Sequence, residues 1–134
     1  MRKDGLRHLT KQERAALRDF IACLRAEYPA QIRRVILFGS KARGNSGTES
    51  DLDVFVLVAS DDWHLHDRMI TASAPISIKY NALISPKIIG PDLYKKMERL
   101  KSNLLTNVRK EGVMLWTNQH ATRSSKTLLT HATN

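Results

Sequence analysis

Two aspartates, Asp51 and Asp53, stand two residues apart at the head of an apolar run, Leu52-Asp53-Val54-Phe55-Val56-Leu57-Val58. Residues i and i+2 of a strand share a face, so both carboxylates project together. Such a pair is expensive beside a core, because like charges resist joint ionisation. A divalent cation relieves that cost, and carboxylate oxygens suit Mg²⁺. Upstream, the run from Ile32 to Phe38 ends in Gly39-Ser40. Glycine lets a backbone approach a ligand closely, and Ser40 adds a hydroxyl. If a helical turn begins there, its free N–H groups favour an anion such as a triphosphate. Lys41 and Arg43 can supply further positive charge. Taken singly these features are commonplace, since Gly-Ser after a strand is normally a turn and Asp-x-Asp normally a solvated strand start. Their order carries the signal: strand, Gly-Ser, Gly-rich loop, then paired acids leading into a buried strand.

Other chemistries fit less well. Gly39 and Gly44 have the spacing of a Walker A loop, but Asn45-Ser46 stands where Lys-Ser or Lys-Thr is required. Cys23 is the only cysteine, which excludes an internal disulfide or a cysteine-based zinc cluster and suits a reducing cytoplasm. It reads as a small packed residue beside a helix's core stripe. His64 and His66 lie two apart with no third ligand placed by sequence, and His8, His120 and His131 are scattered. Trp63, Trp116 and the tyrosines are too dispersed for a base-stacking platform and read as core or interface residues. The chain of 134 residues carries a formal charge of +9, which favours polyanions: nucleic acid, nucleotide phosphates or an acidic partner. Its basic residues are spread out, so charge alone does not choose among these. No apolar run approaches the roughly 18 residues of a membrane span, and the basic start lacks the apolar stretch of a secretory signal. No membrane partner and a cytoplasmic location are expected.

The surrounding elements must position those residues. Thr10-Lys11-Gln12-Glu13 predicts a capping box, and Leu17, Phe20, Ile21, Leu24 and Tyr28 follow helical spacing up to Pro29. Ile32 to Phe38 predicts a strand, residues 44–50 a loop, and Leu52 to Val58 a central strand covered on both faces. Asp61 or Asp62 caps a second long helix to about Lys79, in which Pro75 predicts a kink or a delayed start. Ala82 to Ile89 reads as a third strand with Pro86 at a bend or edge. Shorter helices follow from Pro91-Asp92 to about Leu100 and from Asn103 to Glu111, the latter with Gly112 as C-cap. Val113 to Trp116 reads as a last edge strand. Residues 1–116 thus predict one α/β (α+β) domain, a small mixed sheet with flanking helices. Residues 117–134 have the composition of a flexible basic tail.

The segment F-GSKARGNSGTESDLD-VF resembles the minimal nucleotidyltransferases of the DNA polymerase β-like superfamily, marked by Gly-Ser, a spacer and Asp-x-Asp. The ten residues between Ser40 and Asp51 are similar to the spacer of nucleotidyltransferase-like antitoxins paired with HEPN-domain toxins. The motif covers about a tenth of the chain, and the order of elements extends the similarity to Trp116. The resemblance implies a polymerase β-like palm fold in which Gly39 and Ser40 hold the β and γ phosphates of ATP. It implies that Asp51 and Asp53 ligate Mg²⁺, with two ions accommodated, and that an acceptor hydroxyl attacks the α phosphate. The acceptor it implies is a tyrosine on a partner HEPN-type toxin.

One departure stands out. Active members present a third carboxylate on the following strand, yet no Asp or Glu occurs from Arg68 through Pro91. The expected strand reads Tyr80-Asn81-Ala82-Leu83-Ile84-Ser85, and Asn81 and Ser85 are weak oxygen ligands. Glu49 reads as an exposed loop acid. Three readings follow, in descending order: an enzyme moving AMP from Mg-ATP to a hydroxyl; a catalytically reduced nucleotide-binding antitoxin that neutralises a HEPN-type ribonuclease by complex formation; and a basic nucleic-acid-binding protein.

Overall fold

A computed structural model of the chain describes residues 5–44 and 51–118. A short 3₁₀ turn, Gly5–His8, precedes the first helix, α1 (Lys11–Glu27). The capping box is formed as its sequence predicts: Glu13 N–H donates to Thr10 Oγ1 at 3.0 Å, and Thr10 N–H donates to Glu13 Oε1 at 2.8 Å. Strand β1 (Ile32–Phe38) leads into the one-turn helix α2 (Ser40–Arg43). Strand β2 (Leu52–Val58) is followed by α3 (Trp63–Tyr80), β3 (Ile84–Ile89), α4 (Pro91–Arg99), α5 (Asn103–Glu111) and β4 (Val113–Thr117).

The sheet has the order β3-β2-β1-β4. β1 runs antiparallel to both β2 and β4, and β3 runs parallel to β2. Joining two parallel neighbours needs a crossover, which α3 provides. Alternation along the strands sorts the core into two layers. Val35, Leu37, Val54 and Val56 face α1 and α3, meeting Phe20, Leu24 and Met69. Ile36, Phe38, Phe55 and Ile89 form the second layer with Met97 of α4 and Leu105 and Val108 of α5. Each large side chain so enclosed stabilises the fold by about 1.5–3 kcal/mol.

Several details differ from the sequence reading. The third strand begins at Ile84 rather than Ala82, because α3 runs on to Tyr80 and Asn81 caps it in a left-handed conformation at φ 50°. Helix α3 starts directly after its Asp62 cap and continues through Pro75, so its start is not delayed. Gly112 is the C-cap of α5 as expected, through its N–H to Val108 O, with extended backbone at φ −66°. Of the two expected settings for Trp63, core or interface, the core is excluded: it is 67% exposed and stacks on His64. The edge strand extends through Thr117. Of the expected loop and tail, residues 45–50 and 119–134 lie outside the described residues. No helix among the described residues is long and apolar enough to cross a membrane.

Candidate active site

The turn after β1 depends on Gly39, whose φ of 79° and ψ of −161° belong to a region open essentially to glycine alone. From there the chain tightens into α2, with the N–H groups of Ala42 and Arg43 both donating to Gly39 O at 3.1 Å. No side chain caps this turn. Register places Phe38 opposite Asp53 on β2, so the turn emerges beside that carboxylate. The approach is close: a Cβ on Gly39 would lie 2.5 Å from Asp53 Oδ2. The Gly-Ser and Asp-x-Asp halves of the motif, separated by the loop in sequence, are thus neighbours in space.

Asp53 is half-buried at the start of β2 and Asp51 is exposed just before it. Burial is the largest influence on Asp53 and raises its pKa, and the Asp51 charge adds to this. Lys87 and Arg43 oppose the rise without cancelling it. A half-buried carboxylate that resists ionisation, with a second carboxylate two residues away, suits a cation, whose remaining ligands would come from phosphate oxygens and water. No group of three or more His, Cys, Asp or Glu side chains arranged for a metal occurs among the described residues. Mg²⁺ on Asp51 and Asp53 is consistent with this donor set, as an ion shared with a bound nucleotide.

The two predicted cationic helpers are placed differently from each other. Lys41 is buried, its Nζ 2.6 Å from Glu13 Oε2, with side-chain exposures of 6% and 9%. Glu13 therefore serves both as the cap of α1 and as the partner of the turn that follows Gly39. Arg43 remains near Asp53 electrostatically, but its Nη1 donates to Glu111 Oε2 of α5 at 3.0 Å. Glu49 falls outside the described residues.

Parallel pairing with β3 completes the floor. Ser85 is the register partner of Asp53, and Asn81 lies outside the strand, in the cap of α3. Lys87, two residues on, shares Ser85's face and donates from Nζ to Ser85 Oγ at 3.4 Å. Sequence reading had passed over Lys87; the only signal was its i+2 spacing from Ser85, which gains meaning once the register is known. A cavity of about 370 Å³ lies elsewhere, between α1 and β4, lined by Leu17, Ile21, Arg25 and Trp116 among others. None of the candidate site residues borders it.

Comparison with known proteins identifies the family of the chain. The family model described as "Polymerase beta, Nucleotidyltransferase" matches residues 21–121. The chain is 30% identical over 104 residues to "Putative protein adenylyltransferase MJ0604" of Methanocaldococcus jannaschii, covering 78% of this chain and 98% of the relative. It is 39% identical over 84 residues to "Putative protein adenylyltransferase MJ0141" of the same organism, covering 62% and 78%. Among solved structures, a "putative nucleotidyltransferase" from Sulfolobus solfataricus superposes with a TM-score of 0.52 at 16% identity, covering 89% of this chain and 92% of that one. A mutant of the toxin-antitoxin MntA-HpeT superposes with a TM-score of 0.51 at 20% identity, covering 85% of each. The family model and the sequence relatives agree, and the chain belongs to the polymerase β-like nucleotidyltransferase family.

Proposed function

We propose that the chain binds ATP with Mg²⁺ at Asp51, Asp53 and the Gly39-Ser40 turn, and transfers AMP to a hydroxyl on a protein. The observation that carries this reading is the close approach of the Gly39 backbone to the Asp53 carboxylate, which supports phosphate and cation binding side by side. Mg²⁺ would neutralise the triphosphate and polarise its oxygens. Gly39 and Ser40 hold the outer phosphates, fixing the α phosphorus for attack. The acceptor oxygen forms the new P–O bond, the bond to the β phosphate breaks, pyrophosphate leaves and the hydroxyl proton passes to solvent. Names of the two Methanocaldococcus relatives as protein adenylyltransferases support a protein acceptor. The acceptor we propose is a tyrosine on a HEPN-type toxin, in keeping with the toxin-antitoxin among the fold's neighbours.

Incubation with α-labelled ATP, Mg²⁺ and a HEPN-type toxin protein tests this. Label should enter a tyrosine of the partner, and an Asp51→Ala/Asp53→Ala double variant should lose at least about a hundredfold in rate. A double variant that labels at the original rate removes these residues from the reaction.

A second reading is favoured by Ser85, a neutral hydroxyl at the position paired with Asp53. Here the chain neutralises its partner by binding, with nucleotide bound and no transfer. Partner affinity would then survive the double substitution, and its loss would count against this reading.

A further inference from the structure

We infer that Lys87 supplies the second positive charge of the nucleotide site, so that ATP is held with one divalent cation rather than two. This rests on the nucleotide reading above and concerns how that site is neutralised. The parallel register sets Ser85 beside Asp53, and Lys87 lies on the same face, one strand pleat further along. Its ammonium reaches back toward Asp53's row, donating to Ser85 Oγ at 3.4 Å. Lys87 is exposed, and no ion pair holds it among the described residues. The other two candidate cations are engaged by acids, Lys41 by Glu13 and Arg43 by Glu111.

A second divalent ion is disfavoured on two counts. A paired-metal site, its ions about 4 Å apart, needs shared carboxylates, and no group of three or more potential ligands occurs among the described residues. An ion placed toward β3 would find the Ser85 hydroxyl as its protein ligand and would face the Lys87 ammonium. Charge bookkeeping points the same way. Two divalent ions on three carboxylates present one net positive charge to a triphosphate; one divalent ion and one ammonium on two carboxylates present the same. Lysine suits the role because its ammonium is a compact point charge on a flexible stem, well matched to phosphate oxygens.

Counting bound Mn²⁺ against bound ATP tests the inference, with equilibrium dialysis for the nucleotide and electron paramagnetic resonance for the metal. The expected result is one Mn²⁺ per bound ATP. Lys87→Ala should weaken ATP binding about tenfold, as loss of a charge-assisted contact does. Lys87→Arg should retain most of the affinity, and Lys79→Ala, a change at an exposed lysine on α3, should leave it unaltered. Because Lys87 is exposed, the variants should keep the parent's circular dichroism; Lys87→Gln serves if the alanine variant does not. Two Mn²⁺ per ATP in the parent protein, or unchanged affinity in Lys87→Ala, overturns the role of Lys87 and leaves nucleotide binding intact. No nucleotide bound by the parent protein overturns the underlying reading and this inference with it.

Discussion

Gly39 and Asp53 constrain each other at the scale of single residues. Any side chain at position 39 meets the Asp53 carboxylate at 2.5 Å and must adopt backbone angles that only glycine tolerates. Gly39→Ala should therefore cost about 1–3 kcal/mol in urea unfolding and abolish ATP binding in calorimetry. Asp53 itself is held at a loss. Its folded-state pKa lies above the ordinary 3.8, so between those values the native state keeps a proton that the unfolded chain has released. Stability from this group is thus greatest at low pH and declines as pH rises through that window. Metal-free Asp53→Asn should melt above the parent protein at pH 7, and the gap should close as pH falls toward 3.8. With Mg-ATP added the order should reverse, because a ligand stabilises only the form that binds it. Thermal melts across pH, with and without Mg-ATP, check both statements.

Two ion pairs join the elements around the Gly39-Ser40 turn, and they should differ in weight. Lys41–Glu13 is buried between α2 and α1, so Glu13→Ala leaves an ammonium stripped of that partner and also breaks the capping box. A loss of about 3 kcal/mol in urea unfolding is expected. Arg43–Glu111 is partly exposed, and Glu111→Ala should cost no more than about 1 kcal/mol in the same measurement. The elements themselves were largely legible. The bounds of β1 and β2 and the start of α1 follow from local signals: a β-branched run stopped by Gly39, an apolar run opened by Asp51, and the Thr10–Glu13 box. The pairing of Lys41 with Glu13 was not legible, because it depends on how α1 packs across the sheet. Lys87 escaped for a related reason: parity on an edge strand says which face a residue shares, and only the β2–β3 register says what it faces. The start of β3 was misjudged because the left-handed cap at Asn81 could be read equally well as strand entry.

At the scale of the whole molecule, the charge of +9 gives a general attraction for polyanions. Any affinity for nucleic acid should fall steeply with salt and be unaffected by the Asp51→Ala/Asp53→Ala change, as fluorescence anisotropy across salt concentrations can test. Nucleotide binding should respond in the opposite way, being abolished by the double change. The candidate site opens where β1 ends and β2 begins, on the face that α4 and α5 cover with the smaller of the two core layers. Its link to the other face is Glu13, one oxygen of which closes the start of α1 while the other holds Lys41. The first turn of α1 consequently cannot fray without loosening the turn that follows Gly39. In deuterium exchange the amides of Glu13 and Ala42, far apart in sequence, should open in one shared local event. A nucleotide gripping Ser40 would then slow exchange in the opening turn of α1, so a helix end that touches no ligand would report whether the site is filled.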